Sequence, residues 1–345
     1  MIIIALRVQQ LSARLQELGR QARARVGAED LGQLRRLKGT SWFAEILGRL
    51  ALQFLATPAG WLLGVLAVAY HLALEAQLNH TIMHGAFVGV PGAGRYTPDR
   101  YETLANPFRS KTWRDAHRIH HQHPSRLDGD PDTVHPLFRM HPTQGFRFWH
   151  RFNAFIGAFF TFEHWAFDYD AFLKRQGVRQ QHDRGEWKKL AVHVAYHYLL
   201  FPALAGPRWW VVLLGNVTAA VIRNLVFTAL QTASSVGCEV SSRHALRTDE
   251  PRGVERVRLQ VETSKNFALH GGWKILCGGL DRHIEHHLWP HLPPGRLREL
   301  SPEVRALCDE HGLRYQEFRS IWSSLHDSLR WLSSMAARPG SRSPN

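Results

Sequence analysis

The chain contains two long apolar blocks, and a short Pro-Gly segment interrupts each block near its middle. The first interruption is Thr-Pro-Ala-Gly at residues 57–60, and the second is Ala-Gly-Pro-Arg at residues 205–208. Such interruptions favour a tight reversal between two helices, and about 20 apolar residues span a bilayer. The pattern therefore predicts two helical hairpins with four candidate transmembrane helices. These helices cover about residues 42–57, 60–79, 189–206 and 209–232.

Charged residues inside the apolar blocks affect how two of the arms are interpreted. Glu45 and Arg49 fall in the first arm, which predicts that this arm enters the membrane incompletely. Arg223 falls in the last arm, near its cytoplasmic end, where we expect the side chain to snorkel toward the membrane surface. The pattern also leaves open a soluble α-helical protein in which both hairpins are buried.

Polar segments flank the apolar blocks and divide the chain into three parts. Residues 1–41 form a basic amphipathic segment, which we interpret either as a helix lying on an anionic membrane or as a helix packed on its own domain. Its apolar face consists of Ile4, Val8, Leu11, Leu15 and Leu18. Residues 42–300 form the membrane domain, and residues 301–345 predict a helical segment that ends in a disordered tail from Ala336.

The net charge of +14 indicates an anionic partner and also predicts an orientation. Most basic residues lie in segments 1–41, 85–188 and 234–345, so the positive-inside rule places these segments in the cytoplasm. The sequence shows no nucleic-acid-binding module, and a membrane surface fits the charge better. We therefore expect an all-α integral membrane protein, in a bacterial inner membrane, whose helical cytoplasmic cap carries the chemistry.

Composition excludes several classes of protein. The mean hydropathy of −0.27 excludes a chain that is mostly transmembrane, and 12 Trp with 18 Phe exclude a disordered chain. The chain has three cysteines and no CxxC motif. A disulfide scaffold, a zinc ribbon and a built-in iron–sulfur centre are therefore excluded.

The 22 histidines include three clusters with helical spacing. These clusters are His80 with His84, His117 with His120 and His121, and His283 with His286 and His287. Residues separated by three or four positions share one face of a helix, so each cluster can present its imidazoles in one direction. A pair of HxxHH boxes is far beyond chance, and the predicted topology brings all three boxes to the cytoplasmic face.

A further pair, Asn266 and His270, has the same four-residue spacing shortly before the third box. With this pair, as many as ten nitrogen or oxygen ligands are available, which is too many for one metal ion. Imidazole-rich sites suit iron, copper or zinc. The sequence therefore predicts a site for two ions.

The boxes HTIMH, HRIHH and HIEHH, in this order and spacing, resemble those of the membrane fatty-acid desaturase superfamily. The GDPD segment at residues 129–132 is similar to that of its acyl-lipid branch. The resemblance implies a four-span enzyme with a cytoplasmic site of two iron ions that desaturates a fatty acyl chain using O2. It implies as ligands His80, His84, His117, His120, His121, His283, His286 and His287. His270 and Asn266 match less directly, and in some relatives one of them contributes through water.

Two departures from the family pattern bear on the electron supply. His283 stands where many front-end desaturases have Gln, and the chain has no haem-binding HPGG segment. Both features weigh against the front-end type with its fused cytochrome. We therefore expect electrons to come from a separate protein, a ferredoxin or a cytochrome b5-type carrier with its reductase.

The expected substrate is a lipid or acyl chain that enters from the bilayer through an apolar tunnel. Ligand imidazoles usually donate their second N–H to a carboxylate, and we expect Asp281 and above all Glu285 in this role. Asp115, Asp130 and Asp132 are further candidates. Two alternatives stay open: a di-iron hydroxylase or ketolase acting on an acyl, alkane or carotenoid substrate, and a non-redox zinc protein. The zinc protein would leave half of the box histidines without a role.

Overall fold

A computed structural model describes residues 2–127, 129–132, 139, 141, 143–179, 181, 183–238 and 251–335. This part of the chain is mostly helical, in agreement with the predicted class. Within it, two short strands, β1 (Asn266–Phe267) and β2 (Glu317–Phe318), pair in parallel. The predicted disordered tail lies outside the described residues.

Thirteen α-helices follow one another in the described parts of the chain. The first five are α1 (Ile2–Ala24), α2 (Ala28–Phe54), α3 (Pro58–Met83), α4 (Ser110–Gln122) and α5 (Asn153–Arg175). They are followed by α6 (Arg184–Val194), α7 (Phe201–Leu204), α8 (Trp209–Ser235) and α9 (Gly253–Glu262). The last four are α10 (Trp273–Cys277), α11 (His283–Leu288), α12 (Pro294–Glu310) and α13 (Ile321–Met335). A 3-10 turn at Phe148–Phe152 precedes α5, and a second, Gly206–Arg208, precedes α8.

The chain forms two compact units, and each is built from more than one segment. The first unit comprises Met1–Val26, His117–Gly157 and Ala229–Asn345. The second unit comprises Gly27–Ala116 and Ala158–Thr228. The sequence segments 1–41 and 42–300 do not coincide with these units, because α1 belongs to the first unit and residues 28–41 form the start of α2 in the second.

In the second unit, α2 and α3 pack closely against each other. The turn between them contains the residues that start α3: Thr57 accepts a hydrogen bond from the amide of Gly60 (3.1 Å), and Pro58 occupies the first turn. Glycine at the helix crossing permits the close approach. A Cβ on Gly48 would lie 2.9 Å from the backbone nitrogen of Val68.

Two of the described helical segments are long and apolar enough to cross a membrane. They are Pro58–Met83 and Gly206–Ser235, and they cover the predicted second and fourth spans. The first predicted span lies in α2, where Glu45 and Arg49 lower the mean hydropathy. The third does not form one regular α-helix, because a π-helical segment, Ala195–Leu200, separates α6 from α7.

The charged residues of these apolar segments are paired inside the second unit. Arg49 donates to Asn216 Oδ1 (2.7 Å) and to His197 Nδ1 (2.6 Å). Arg223 is fully buried and donates to Glu163 Oε1 at 2.6 Å. The prediction that Arg223 snorkels to the surface is wrong, because a carboxylate on α5 compensates the guanidinium where it lies.

The first unit is built around a core that joins α1 to the elements beside the third histidine box. Leu11 and Leu15 of α1 share this core with Ile284, Trp289 and Val304. The packing of Leu11, Leu15 and Leu18 agrees with the second interpretation of the N-terminal helix, in which the helix packs on its own domain. The side chains of Ile4 and Val8 lie outside the described part of the structure.

The C-terminal helix α13 is attached to the end of α8 within the first unit. Ser324 Oγ donates to the carbonyl of Ala233 (2.6 Å), and Ser328 Oγ donates to that of Thr232 (2.9 Å). The last carbonyls of a helix lack intrahelical partners, so Ser324 satisfies that of Ala233. Ser328 adds a second bond to that of Thr232, which also accepts the amide of Val236 (3.1 Å). Lys265 adds an ion pair with Asp327 at 2.8 Å.

We predict that Gly19→Ala destabilises the protein. A Cβ at Gly19 would lie 2.2 Å from Nε1 of the buried Trp289, so the ring must move within a packed core. The expected loss is about 1–3 kcal/mol of unfolding free energy, seen as a lower melting temperature in detergent. Gly39→Ala is the control, because nothing lies near its added methyl group and alanine favours a helix. Equal melting of the Gly19 variant and wild type would contradict the described packing.

Candidate metal centre

The second and third histidine boxes lie on two helices of the first unit. His117, His120 and His121 occupy the end of α4, and the third box forms most of α11. The side chain of Asn266, on β1, fixes the beginning of α11, because its Oδ1 accepts a hydrogen bond from the amide of Ile284 (3.0 Å). A helix of six residues needs such external support, since short helices are unstable alone.

His120, His283 and His287 form the first histidine group. Nε2 of His287 lies 3.3 Å from Nε2 of His120 and 3.0 Å from Nε2 of His283. All three side chains are buried. Ser235 Oγ lies 3.1 Å from the same nitrogen of His283. Both boxes thus bring imidazole nitrogens to one point.

His117, His121 and His286 form the second histidine group. One nitrogen of each imidazole lies within 4.8 Å of the others. The Nε2 atoms of His117 and His121 are 3.2 Å apart, and the rings of His121 and His286 have centroids 4.9 Å apart. The six histidines of the two boxes therefore divide into two groups of three.

The spacing of these nitrogens fits metal coordination. Two imidazole nitrogens, each about 2.1 Å from one ion at octahedral or tetrahedral angles, lie about 3.0–3.4 Å from each other. The Nε2 separations in the two groups are 3.0, 3.2 and 3.3 Å. Each group can hold a metal ion of the kind that prefers imidazole, which includes iron, copper and zinc.

Asp130 contacts the Nδ1 side of His120, opposite the nitrogen that faces the other imidazoles of the first group. Its Oδ1 lies 2.9 Å from Nδ1 of His120, and the carboxylate also accepts hydrogen bonds from the backbone amides of Ser125 and Asp132. Burial disfavours the charged form of His120, but the two nearby carboxylates outweigh it and raise its pKa to about 9. The hydrogen bond to Asp130, one of the carboxylates that the sequence suggested, keeps a proton on Nδ1, and a metal ion would replace the second proton on Nε2.

Asp132 lies on the same side of His120. Burial and the charge of Asp130 raise its pKa to about 6, although His120 and a hydrogen bond from Gln231 (3.0 Å) oppose this shift. His120 with Asp130 and Asp132 also meets the distance criterion for a metal site. The hydrogen bond of His120 Nδ1 to Asp130 makes this acidic pair a support for the imidazole.

The two carboxylates that the sequence favoured most have other partners. Asp281 forms an ion pair with Arg298 at 2.8 Å. Glu285 is buried, which raises its pKa, while hydrogen bonds from Tyr315 (2.7 Å) and Asn266 (2.8 Å) oppose the rise. Both acids therefore hold the third box in position through groups other than imidazoles.

The resemblance also implies His80, His84 and His270 as ligands. His80, at the end of α3, and His84, which caps that helix, belong to the second unit, where their rings are 4.9 Å apart and both meet Trp113 edge-on. His270 is exposed and belongs to none of the groups found among the described residues. Asp115 pairs with Lys111 at 2.6 Å.

Two supporting residues of this centre were not predicted. Gln260 accepts a hydrogen bond from Nδ1 of His287 (2.8 Å), and Tyr315 donates to Glu285. Neither belongs to a motif, and both lie far from their partners in the sequence. The role of Gln260 could be predicted only after α9 is located in the fold, because a buried side-chain amide needs a hydrogen-bond partner.

Comparison with known proteins agrees with the geometry. The family described as fatty acid desaturase matches residues 37–319. The chain is 27% identical over 328 residues to an NADPH-dependent stearoyl-CoA 9-desaturase of Mycobacterium tuberculosis, with 89% of this chain and 75% of that protein covered. It is 25% identical over 294 residues to an sn-1 linoleoyl-lipid 6-desaturase of Synechocystis sp., with 79% and 80% covered. It is 26% identical over 249 residues to an acyl-lipid (7-3)-desaturase of Diacronema lutheri, with 66% and 53% covered. Since the family match extends over most of its length, the chain belongs to the fatty acid desaturase family.

Proposed function

We propose that this protein is a membrane-bound oxidoreductase that introduces a double bond into a fatty acyl chain, using O2 and electrons from a separate carrier. The observation that carries the proposal is the pair of histidine groups on the second and third boxes, in a chain of the desaturase family. The carrier would be a ferredoxin or a cytochrome b5-type protein with its reductase.

The proposed cofactor is a pair of iron ions. The first histidine group would hold one ion, and the second group would supply ligands to the other. His80 and His84 join the proposed ligand set because they form the first box of the family pattern. His270 and Asn266 stay predictions from the resemblance, since Asn266 is engaged with Glu285 and Ile284 here.

Iron, when bound, would activate O2 as the oxidant that removal of hydrogen from an unactivated methylene requires, which no side chain can do. The chain contributes orientation and exclusion of water. Asp130 holds the proton of His120 on Nδ1. The buried imidazoles of the first group keep bulk water away from the centre, which limits side reactions.

Exposed apolar side chains support a membrane location with four spans. They occur on the segments that are too polar or too irregular to qualify as spans by length and hydropathy. On α2 these residues are Trp42, Phe43, Ile46, Leu50 and Phe54, and near α7 they are Leu199, Leu200 and Leu204. Large exposed apolar surfaces are costly in water and favourable in lipid. We propose a bacterial inner-membrane protein with its termini and metal centre in the cytoplasm.

Expression of the chain in a bacterial host should add a new double bond to host fatty acids. The acyl-CoA and phospholipid pools, sampled over time by mass spectrometry, would show in which pool the product first appears, since the named relatives act on different carriers. His121→Ala should abolish the product, because it removes one imidazole from the second group. A hydroxylated product would contradict desaturation and support the alternative oxygenase reaction.

Purified protein should contain about two iron ions per chain, and His287→Ala should lose most of the iron of its site. Nε2 of His287 lies between those of His120 and His283, so its removal leaves that site with two imidazoles. Metal analysis by mass spectrometry measures the content. His326→Ala, at an exposed position of α13, is the control and should retain the wild-type content. Zinc without iron in wild-type protein would support the non-redox alternative.

Asp130→Asn should weaken iron binding by about 10–100-fold, because the imidazole of His120 loses a charged hydrogen-bond acceptor. The loss is measured by competition with an iron chelator. Asp309→Asn, an exposed acid of α12, controls for the change in net charge. Equal iron retention by both variants would show that the carboxylate of Asp130 does not support a metal ligand.

A further inference from the structure

Gln260 connects the second and third histidine boxes through a single side chain. It lies on α9 and is 2% exposed, and its neighbours Leu259 and Val261 are buried as well. Its Nε2 donates to the backbone carbonyl of His121 (2.9 Å), and its Oε1 lies 2.8 Å from Nδ1 of His287. The backbone of one box is thereby joined to an imidazole of the other.

These two contacts determine which way the amide points. A backbone carbonyl only accepts hydrogen bonds, so the nitrogen of the amide must face His121, and the oxygen must then face His287. An amide oxygen also only accepts, so Nδ1 of His287 carries the proton. The lone pair of neutral His287 is then on Nε2, which faces the Nε2 atoms of His120 and His283.

The same amide also satisfies the end of α4. His121 is the penultimate residue of that helix, and its carbonyl lies beyond the reach of intrahelical bonds because the amide of Ser125 donates to Asp130. Gln260 could therefore serve only as a helix cap, or it could also determine how His287 binds metal. The two roles make different predictions.

We propose that Gln260 is a positioning residue, which acts on the metal of the first histidine group by fixing the tautomer of His287. The inference rests on the proposed iron-dependent function and adds a residue to it. The acceptor behind His287 is a neutral amide, whereas the acceptor behind His120 is the carboxylate of Asp130. A carboxylate raises the basicity of its imidazole more than an amide does, so these two ligands donate unequally to one ion.

Two substitutions separate positioning from capping. Gln260→Glu keeps an acceptor for Nδ1 of His287 and loses the donor to His121, whereas Gln260→Met has similar length and loses both. Positioning predicts iron affinity about 10–100-fold weaker in Gln260→Met, and equal to or tighter than the wild-type value in Gln260→Glu, because a carboxylate is the stronger acceptor for Nδ1. Affinity is measured by chelator competition, and thermal melting of each iron-free variant shows that it is folded. Equal losses in both variants, or no loss in Gln260→Met, would overturn the proposal.

A double-mutant cycle with His287→Ala tests the same proposal without the Gln260→Glu variant. If Gln260 acts through His287, Gln260→Met has no further effect on iron affinity in the His287→Ala background. An undiminished effect there would overturn the proposal.

Gln316→Met, at a partly buried glutamine outside the centre, is the matched control and should bind iron as the wild type does. Lack of iron in wild-type protein would count against the proposed function itself, whereas equal affinity of wild type and Gln260→Met counts against this inference alone.

Discussion

The convergence of imidazole nitrogens within a buried volume is the constraint on which the first unit depends. The Nε2 atoms of His283 and His287 on α11 lie 3.0 Å apart, and that of His287 lies 3.3 Å from that of His120 on α4. At these distances the lone pairs face one another unless a proton or a cation lies between them. Burying several imidazole nitrogens together is costly unless their lone pairs are compensated. A positive ion bound between them would therefore stabilise the arrangement.

The surrounding structure holds the two boxes in place from several sides. Asn266 and Tyr315 hold Glu285 in the middle of α11 through hydrogen bonds of 2.8 and 2.7 Å. Leu11 and Trp289 belong to the core that covers the outer side of this region. A six-residue helix has little stability of its own, so these contacts supply the rigidity that a preorganised metal site requires.

Local spacing was sufficient to predict the features that depend on neighbouring residues. The HxxHH pattern predicts that three imidazoles share a helix face, and the structure shows both boxes on helices. The second and fourth apolar segments are long helices for the same reason. Asp130 was among the predicted carboxylates because it lies near the second box in the sequence, and the structure shows that its loop folds back to His120.

Features that depend on distant residues could not be read from the sequence. The charge of Arg223 is compensated by Glu163, which lies 60 residues away, and no residue near Arg223 in the sequence indicates this ion pair. Gln260 meets His121 across 139 positions. The preference for Glu285 as a partner of an imidazole failed to anticipate Tyr315, which lies 30 positions away and donates to that carboxylate.

X-ray absorption spectroscopy of the iron-loaded protein shows directly whether imidazoles of the second and third boxes hold iron. We expect a shell of nitrogen and oxygen ligands at about 2.0–2.2 Å, with the outer-shell scattering typical of imidazole rings. The imidazole scattering should fall when box histidines are replaced. A shell containing sulfur, or one of oxygen alone without imidazole scattering, would show that these imidazoles do not bind the iron.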